Sequence, residues 1–104
     1  MRAPAHIQGM RKTQDAPVLR AAAAEIKARR GQLNISQEEL AHRAGVHRSF
    51  VARLEVAETQ PSLAVLFRLA AALEADVGEM TSAIARRTRK EAKVRATSAG
   101  NGEG

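Results

Sequence analysis

From Val18 onward, apolar residues return every three or four positions, and the series breaks only at residues that start or stop helices. Leu19, Ala22, Ala23 and Ile26, with Arg30 next, lie along one side of a helix predicted to begin near Val18. Its alanine run has high helix propensity. Pro17 suits a first helical position, where its missing N–H costs nothing. Asn34, after Gly31 to Leu33, supplies the left-handed residue that closes the helix. Ser36 is a good N-cap for a second helix. Its hydroxyl can accept the backbone N–H of Glu38 or Glu39, and Glu39 is placed for the return half of a capping box. Ile35 and Leu40 have the spacing of a hydrophobic staple. Leu40, Ala41 and Ala44 turn inward, Gly45 stops the helix, and Val46 plugs the turn. A third helix starts near Arg48, buries Val51 and Leu54, and ends at Glu55. Residues 57–60 form a linker that Pro61-Ser62 punctuates, and Ser62 or a neighbour caps a fourth helix. There Leu63, Leu66, Phe67, Ala70 and Leu73 are spaced for one buried face, widened by Val65 and Leu69. Asp76 can cap a fifth helix, where Val77, Met80 and Ile84 recur. No stretch alternates as a strand would. The chain is therefore expected to be all-α with five helices. Residues 18–84 make the domain, 1–17 a flexible N-terminal segment, and 85–104 a basic C-terminal tail that is partly helical, frays, and ends disordered.

The second and third helices, over residues 36–55, have the proportions of a helix-turn-helix. The first helix of such a unit crosses a DNA backbone and the second lies in the major groove. With Val51 and Leu54 inward, Arg48, Ser49, Ala52 and Arg53 are left on or near the outer face. Arg48 can bind guanine O6 and N7 with two hydrogen bonds, Ser49 can donate or accept at several bases, and Ala52 can touch a thymine methyl. An ordinary amphipathic surface helix with two arginines has the same periodicity. Gln37, in the first turn of the second helix, can hold a phosphate together with the free backbone N–H groups there. His42 and Arg43 suit the dipole at that helix's end, and Arg43 is also a candidate phosphate contact. His47 takes the N-cap position of the third helix, where its ring can accept a backbone N–H or, when charged, face a phosphate.

Composition narrows the field further. Hydrophobic residues are 44% of the 104 but aromatics only 2%, so the core must be built from Ala, Leu, Val and Ile. Such side chains bury little area each, which implies modest monomer stability and makes help from a partner subunit plausible. The absence of cysteine excludes disulfides, thiolate nucleophiles and cysteine-based zinc sites. His6, His42 and His47 lack the spacing of a metal site, so no metal or cofactor is expected. No uncharged stretch is long enough to span a bilayer, and the N-terminus lacks the apolar region of a secretory signal, so the cytoplasm is the expected compartment. Net charge is +6, and all of the excess lies outside residues 18–82, where eight Lys/Arg meet eight Asp/Glu. Basic ends can add phosphate affinity or can simply be solvated. No catalytic constellation appears: Ser49 and His47 face differently on a helix, and Glu38 and Glu39 do not stack on one face. The chain is read as a non-enzyme.

SQEELAHRAGV, HRSFVARLE, QPSL and LFRLAAAL together resemble the XRE family, the Cro/C1-type or lambda-repressor-like helix-turn-helix proteins, over residues 18–82. The resemblance implies a compact five-helix DNA-binding domain, usually dimeric on operators with two-fold symmetry. It implies that Gln37 contacts the DNA backbone and that Arg48 and Ser49 reach base edges. It also implies that Arg30 and Glu55 form a structural pair tying the helices together. AGVHRSF is similar to controller proteins of restriction–modification systems. Val56-Ala57 stands where the family often has Arg-Gly, and Asn34 where it commonly has Gly. Thr59 stands where a basic residue is frequent, and joins Gln37, Arg43, His47 and Arg53 as a candidate backbone contact without that charge. The expected function is sequence-specific binding of double-stranded DNA by a transcriptional regulator, such as a repressor. The alternatives are an antitoxin that masks a toxin protein and regulates its own synthesis, and a protein-binding adaptor. A homodimer is expected through helices 4 and 5, with Met80 and Ile84 adding to the apolar surface of helix 4.

Overall fold

Alanine-rich and straight-chain residues carry most of the helical stretches, and the breaks between them fall at Asn34, Gly45, Ala57 and Glu74, each with positive φ. The computed structural model describes the backbone of residues 3–103 and the side chains of residues 15–97. Its elements are α1 (Ala3–Leu33), α2 (Gln37–Ala44), α3 (Arg48–Glu55), α4 (Leu63–Ala72) and α5 (Val77–Glu103), with no strand among the described residues. The fold is all-α.

α1 begins at Ala3 and holds Pro17 inside it, whereas periodicity placed its start near Val18. Proline removes one backbone donor and favours a helix start, but the residues from Ala5 to Ala16 include only Gly9 as a breaker. The loose ends expected of residues 1–17 and 97–104 fall mostly outside the described side chains.

α5 corrects a second expectation, because it runs straight through the basic segment that should have frayed. The reason is a set of cross-helix ion pairs that sequence spacing does not show. Arg87 Nε donates to Glu25 at 2.8 Å, and Arg20 donates to Glu91. Glu25 thus faces Arg87 and Arg20 faces Glu91, so α5 lies antiparallel to α1.

α1 packs on α3 and on α5, while α4 joins α2 and α5. Ile26, Leu40, Val51, Leu54, Leu69 and Met80 are the largest fully buried side chains. Each contributes about 1.5–3 kcal/mol by leaving water. Ala21, Ala22, Ala41, Ala44 and Ala70 fill the gaps between them. The buried side of α4 is Leu69, Ala70, Ala72 and Leu73 rather than the stripe starting at Leu63. Leu63 is 72% exposed and Phe67 53% exposed. Met80, expected on a dimer surface, is interior to the protomer, while Ile84 is largely buried at the edge of a groove.

The first four helices end in one way. Ile35, Val46, Glu58 and Ala75 each donate a backbone N–H to the carbonyl five residues back, at 2.9 to 3.3 Å. Each closure needs a left-handed residue just before the donor. Those residues are Asn34, Gly45, Ala57 and Glu74, so only one of the four is glycine.

Candidate nucleic-acid interface

The helix-turn-helix is fixed at its entry by Ser36, whose Oγ accepts the N–H of Glu39 at 3.0 Å. The reciprocal half of the capping box gives way to another bond, since the Glu39 carboxylate accepts Arg43 Nε at 2.9 Å. Gly45, at φ 71°, lets the chain reverse, and Val46 packs against the core behind the turn. His47 holds the N-cap position of α3 with extended backbone, but its ring makes no capping hydrogen bond. His47 is exposed.

α3 turns Val51, Leu54 and Glu55 inward. Arg48, Ser49 and Arg53 are exposed and Ala52 is half-buried. These four lie within an arc of about 140° on a helix of 3.6 residues per turn. Neither Arg48 nor Arg53 is in an ion pair among the described residues, whereas Arg20, Arg29, Arg30, Arg43, Arg87 and Arg95 all are. The outer face of α3 therefore presents uncompensated guanidinium groups beside a hydroxyl and a small apolar side chain.

Behind this face sits a three-residue lock. Arg30 donates to both oxygens of Glu55, through Nε at 2.7 Å and Nη2 at 2.9 Å, and its Nη1 reaches the carbonyl of Ile35 at 2.8 Å. Gln37 Nε2 donates to the same carboxylate at 3.0 Å. One carboxylate thus joins the end of α1, the start of α2 and the end of α3. Burial of Glu55 acts to raise its pKa, but the hydrogen bonds from Arg30 and Gln37 and the charges of Arg30 and Lys27 outweigh it, so the carboxyl titrates below the ordinary range. Gln37 is half-buried and spends one amide N–H on this lock, which orients the rest of its amide at the N-terminus of α2.

Arg43 is placed differently. Besides Glu39, its guanidinium reaches the carbonyl of Ala72 at 3.4 Å and Glu74 at 3.6 Å, so it ties the end of α2 to the end of α4. Thr59 is half-buried in the loop between α3 and α4. Arg68, which sequence reasoning missed, donates to the carbonyl of Ala44 at 2.9 Å and satisfies the end of α2 from another helix. No local signal marks it, because donor and acceptor are 24 residues apart.

The helix-turn-helix family profile matches residues 26–80, more than half of the chain. No match is found among curated proteins. Among solved structures, the clp gene regulator ClgR from Corynebacterium glutamicum superposes with a TM-score of 0.73 at 21% identity, covering 78% of this chain and 86% of that one. The restriction–modification controller protein C.AhdI from Aeromonas hydrophila gives a TM-score of 0.58 at 31% identity, covering 60% of this chain and 94% of that one. The controller protein C.Esp1396I gives 0.63 at 18% identity, covering 67% and 90% of the two chains. With the matched segment running from the last turns of α1 into α5, and the exposed cationic face of α3 at its centre, the chain belongs to the XRE-type helix-turn-helix family of DNA-binding transcriptional regulators.

Proposed function

We propose that the protein acts in the cytoplasm as a homodimer on an operator of two-fold symmetry, with α3 of each protomer in the major groove. The observation that carries this reading is the outer face of α3. Its two arginines are exposed and in no ion pair among the described residues, while its other face is sealed into the core and its end is held by the Arg30–Glu55–Gln37 lock. Arg48, Ser49 and Ala52 are assigned to base edges, because that group combines a guanidinium fork, a hydroxyl and a methyl. Gln37, His47, Arg53 and Thr59 are assigned to the sugar–phosphate backbone. Arg43 serves chiefly to tie α2 to α4, given its engaged guanidinium. The dimer is supported by Leu63 and Phe67, exposed on α4. An apolar groove of about 540 Å³ also lies between α1, α4 and α5, which Val18, Leu66 and Ile84 help to line and which Arg89 borders. No observation specifically favours the toxin-masking alternative.

Selection of bound duplexes from a random pool, with the full chain, tests this function. Enrichment of inverted half-sites centred about one helical turn apart, ~34 Å, is the expected result. A pool that stays random after repeated rounds would sink the sequence-specific reading.

A further inference from the structure

α2 and α4 hold each other by their ends. A helix leaves its last four carbonyls without intrahelical partners. In α2 the N–H groups of Gly45 and Val46 return to His42 and Ala41. The carbonyl of Ala44, the last residue of α2, instead accepts Arg68 Nε of α4 at 2.9 Å. In α4 the N–H groups of Leu73, Glu74 and Ala75 return to Leu69, Ala71 and Ala70. The carbonyl of Ala72, the last residue of α4, accepts Arg43 Nη1 of α2 more loosely, at 3.4 Å. Each helix therefore gives an arginine to the last carbonyl of the other.

The two pins differ in what else they do. Arg43 is shared among Glu39, Glu74 and the carbonyl of Ala72. Arg68 is in no ion pair among the described residues, and its hydrogen bond there goes to Ala44. A guanidinium at this place faces the negative end of the α2 dipole. Its bond is charge-assisted and directional, whereas apolar burial has no direction. α2 and α4 pack together in a core cluster that includes Ala41, Ala44, Ala70 and Ala72. Methyl-sized side chains make shallow ridges, which set the angle between two helices only loosely. The Arg68 bond supplies the direction that this packing lacks.

The place of Ala44 gives that bond a bearing on DNA. Gly45 and Val46 follow it and lead into α3. The Arg30–Glu55–Gln37 lock ties α1, α2 and α3 into one block, and α4 meets this block through α2. α4 also carries Leu63 and Phe67, the exposed pair to which the dimer is given. Phe67 and Arg68 are consecutive, so their side chains stand about 100° apart round the helix. One flank of α4 is thus offered to a partner subunit while another grips the reading unit. In a two-fold dimer, the tilt of each recognition helix relative to the interface fixes the half-site separation that both can reach.

We propose that Arg68 is a positioning residue that sets the half-site spacing the dimer accepts, by fixing α2 and α3 against α4. It does so without touching DNA. The inference rests on the reading of a dimer through α4 with α3 in the major groove.

The test uses the full chain and the operator recovered by selection from a random pool. Three versions are compared: the operator as selected, and with one base pair added or removed at its centre. One base pair turns a half-site by about 35° and moves it by about 3.4 Å. A fourth duplex carries a single half-site. Wild type should bind the altered spacings at least about tenfold more weakly than the selected one, because two linked helices no longer fit together. R68M keeps the apolar stem and loses the donor. It should bind all three spacings within about threefold of one another, and the half-site as wild type does. R68K should keep the wild-type discrimination, because its ammonium can donate to the same carbonyl. R43M breaks the converse pin, should narrow the spacing penalty in the same direction, and carries the test if R68M does not fold. An undiminished penalty in R68M, or in R43M where R68M does not fold, would overturn the proposal. So would an equal loss by R68M on half-site and operator, since Arg68 would then act on α3 or on DNA itself. Indifference of wild type to spacing would remove the dimer reading and this inference with it, whereas full discrimination by R68M removes the role of Arg68 and leaves the dimer intact.

Discussion

Glu55 receives two arginine donors and one glutamine donor on a side chain that is 2% exposed, so its charge is costly unless all of them are in place. Removing one partner of a buried pair leaves the other charge uncompensated. Arg30→Ala is therefore expected to cost about 3 kcal/mol in chemical denaturation. Replacing the pair by apolar residues, Arg30→Met with Glu55→Leu, should recover much of that, because desolvation of the carboxylate disappears as well. A single Arg30→Ala that unfolds like wild type would show the lock to be ornamental. Arg48 is the opposite kind of charge, exposed and in no ion pair among the described residues, so its value must appear in binding and not in folding. Arg48→Ala should leave the unfolding midpoint unchanged and weaken operator binding by about 1–3 kcal/mol per half-site, relaxing preference at one base pair. Equal losses on operator and scrambled duplex would instead place Arg48 on phosphate.

At the scale of elements, the helix ends carry an avoidable cost. Ala57 holds φ 62° and Glu74 φ 57° in closures that need a left-handed residue, and a Cβ is disfavoured there. Ala57→Gly and Glu74→Gly are each expected to raise stability, by about 1 kcal/mol per site, because the strain relieved exceeds the added freedom of the unfolded chain. An unchanged or lower thermal midpoint for both would show that the backbone there is unstrained. Glu74 is the less clean test, since its carboxylate sits 3.6 Å from Arg43. Asn34 and Gly45 were legible as stops because Asn and Gly announce that conformation. Ala57 and Glu74 were not, because nothing in those side chains favours positive φ. The inward residues of α2 and α3 were legible for a similar reason: a short helix with caps at fixed distances has one way to hide Leu40, Val51 and Leu54. α4 was over-read, since its seven apolar positions fit several faces and only packing against α2 and α5 decides that Leu63 and Phe67 stay out. The full run of α5 was invisible locally, because Glu25 and Arg87 are 62 residues apart. The outer face of α3 could be read from period alone, whereas the tethering of Arg43 and the cap from Arg68 depend on where α4 lies.

For the whole molecule, carboxylates that bind helices together make acid the direction of weakness. Burial acts to raise the pKa of Glu25, but hydrogen bonds and charge from Arg87 and Arg29 leave it below the ordinary 4.5, and Glu55 is likewise lowered. The unfolded chain therefore takes up protons first as pH falls. The stability these groups supply is full above about pH 4.5 and drains away as pH drops through their lower folded values. Thermal midpoints should be flat from neutrality to that point and then decline, with the decline softened in Glu25→Gln. The proposed dimer interface poses a sharper question. Leu63 and Phe67 are 72% and 53% exposed, so the protomer gains little from either. A side chain fully buried on association gains at most about 1.5–3 kcal/mol, and a two-fold interface uses each residue twice. L63S/F67S should therefore weaken self-association at least about tenfold in sedimentation, leaving the protomer's helical signal and thermal midpoint near wild type. Operator affinity should fall with it, because two linked recognition helices bind better than one, while contact of a single α3 with a half-site duplex persists. A variant that stays dimeric would move the interface away from α4. One that loses its fold would mean that these residues are covered within the protomer.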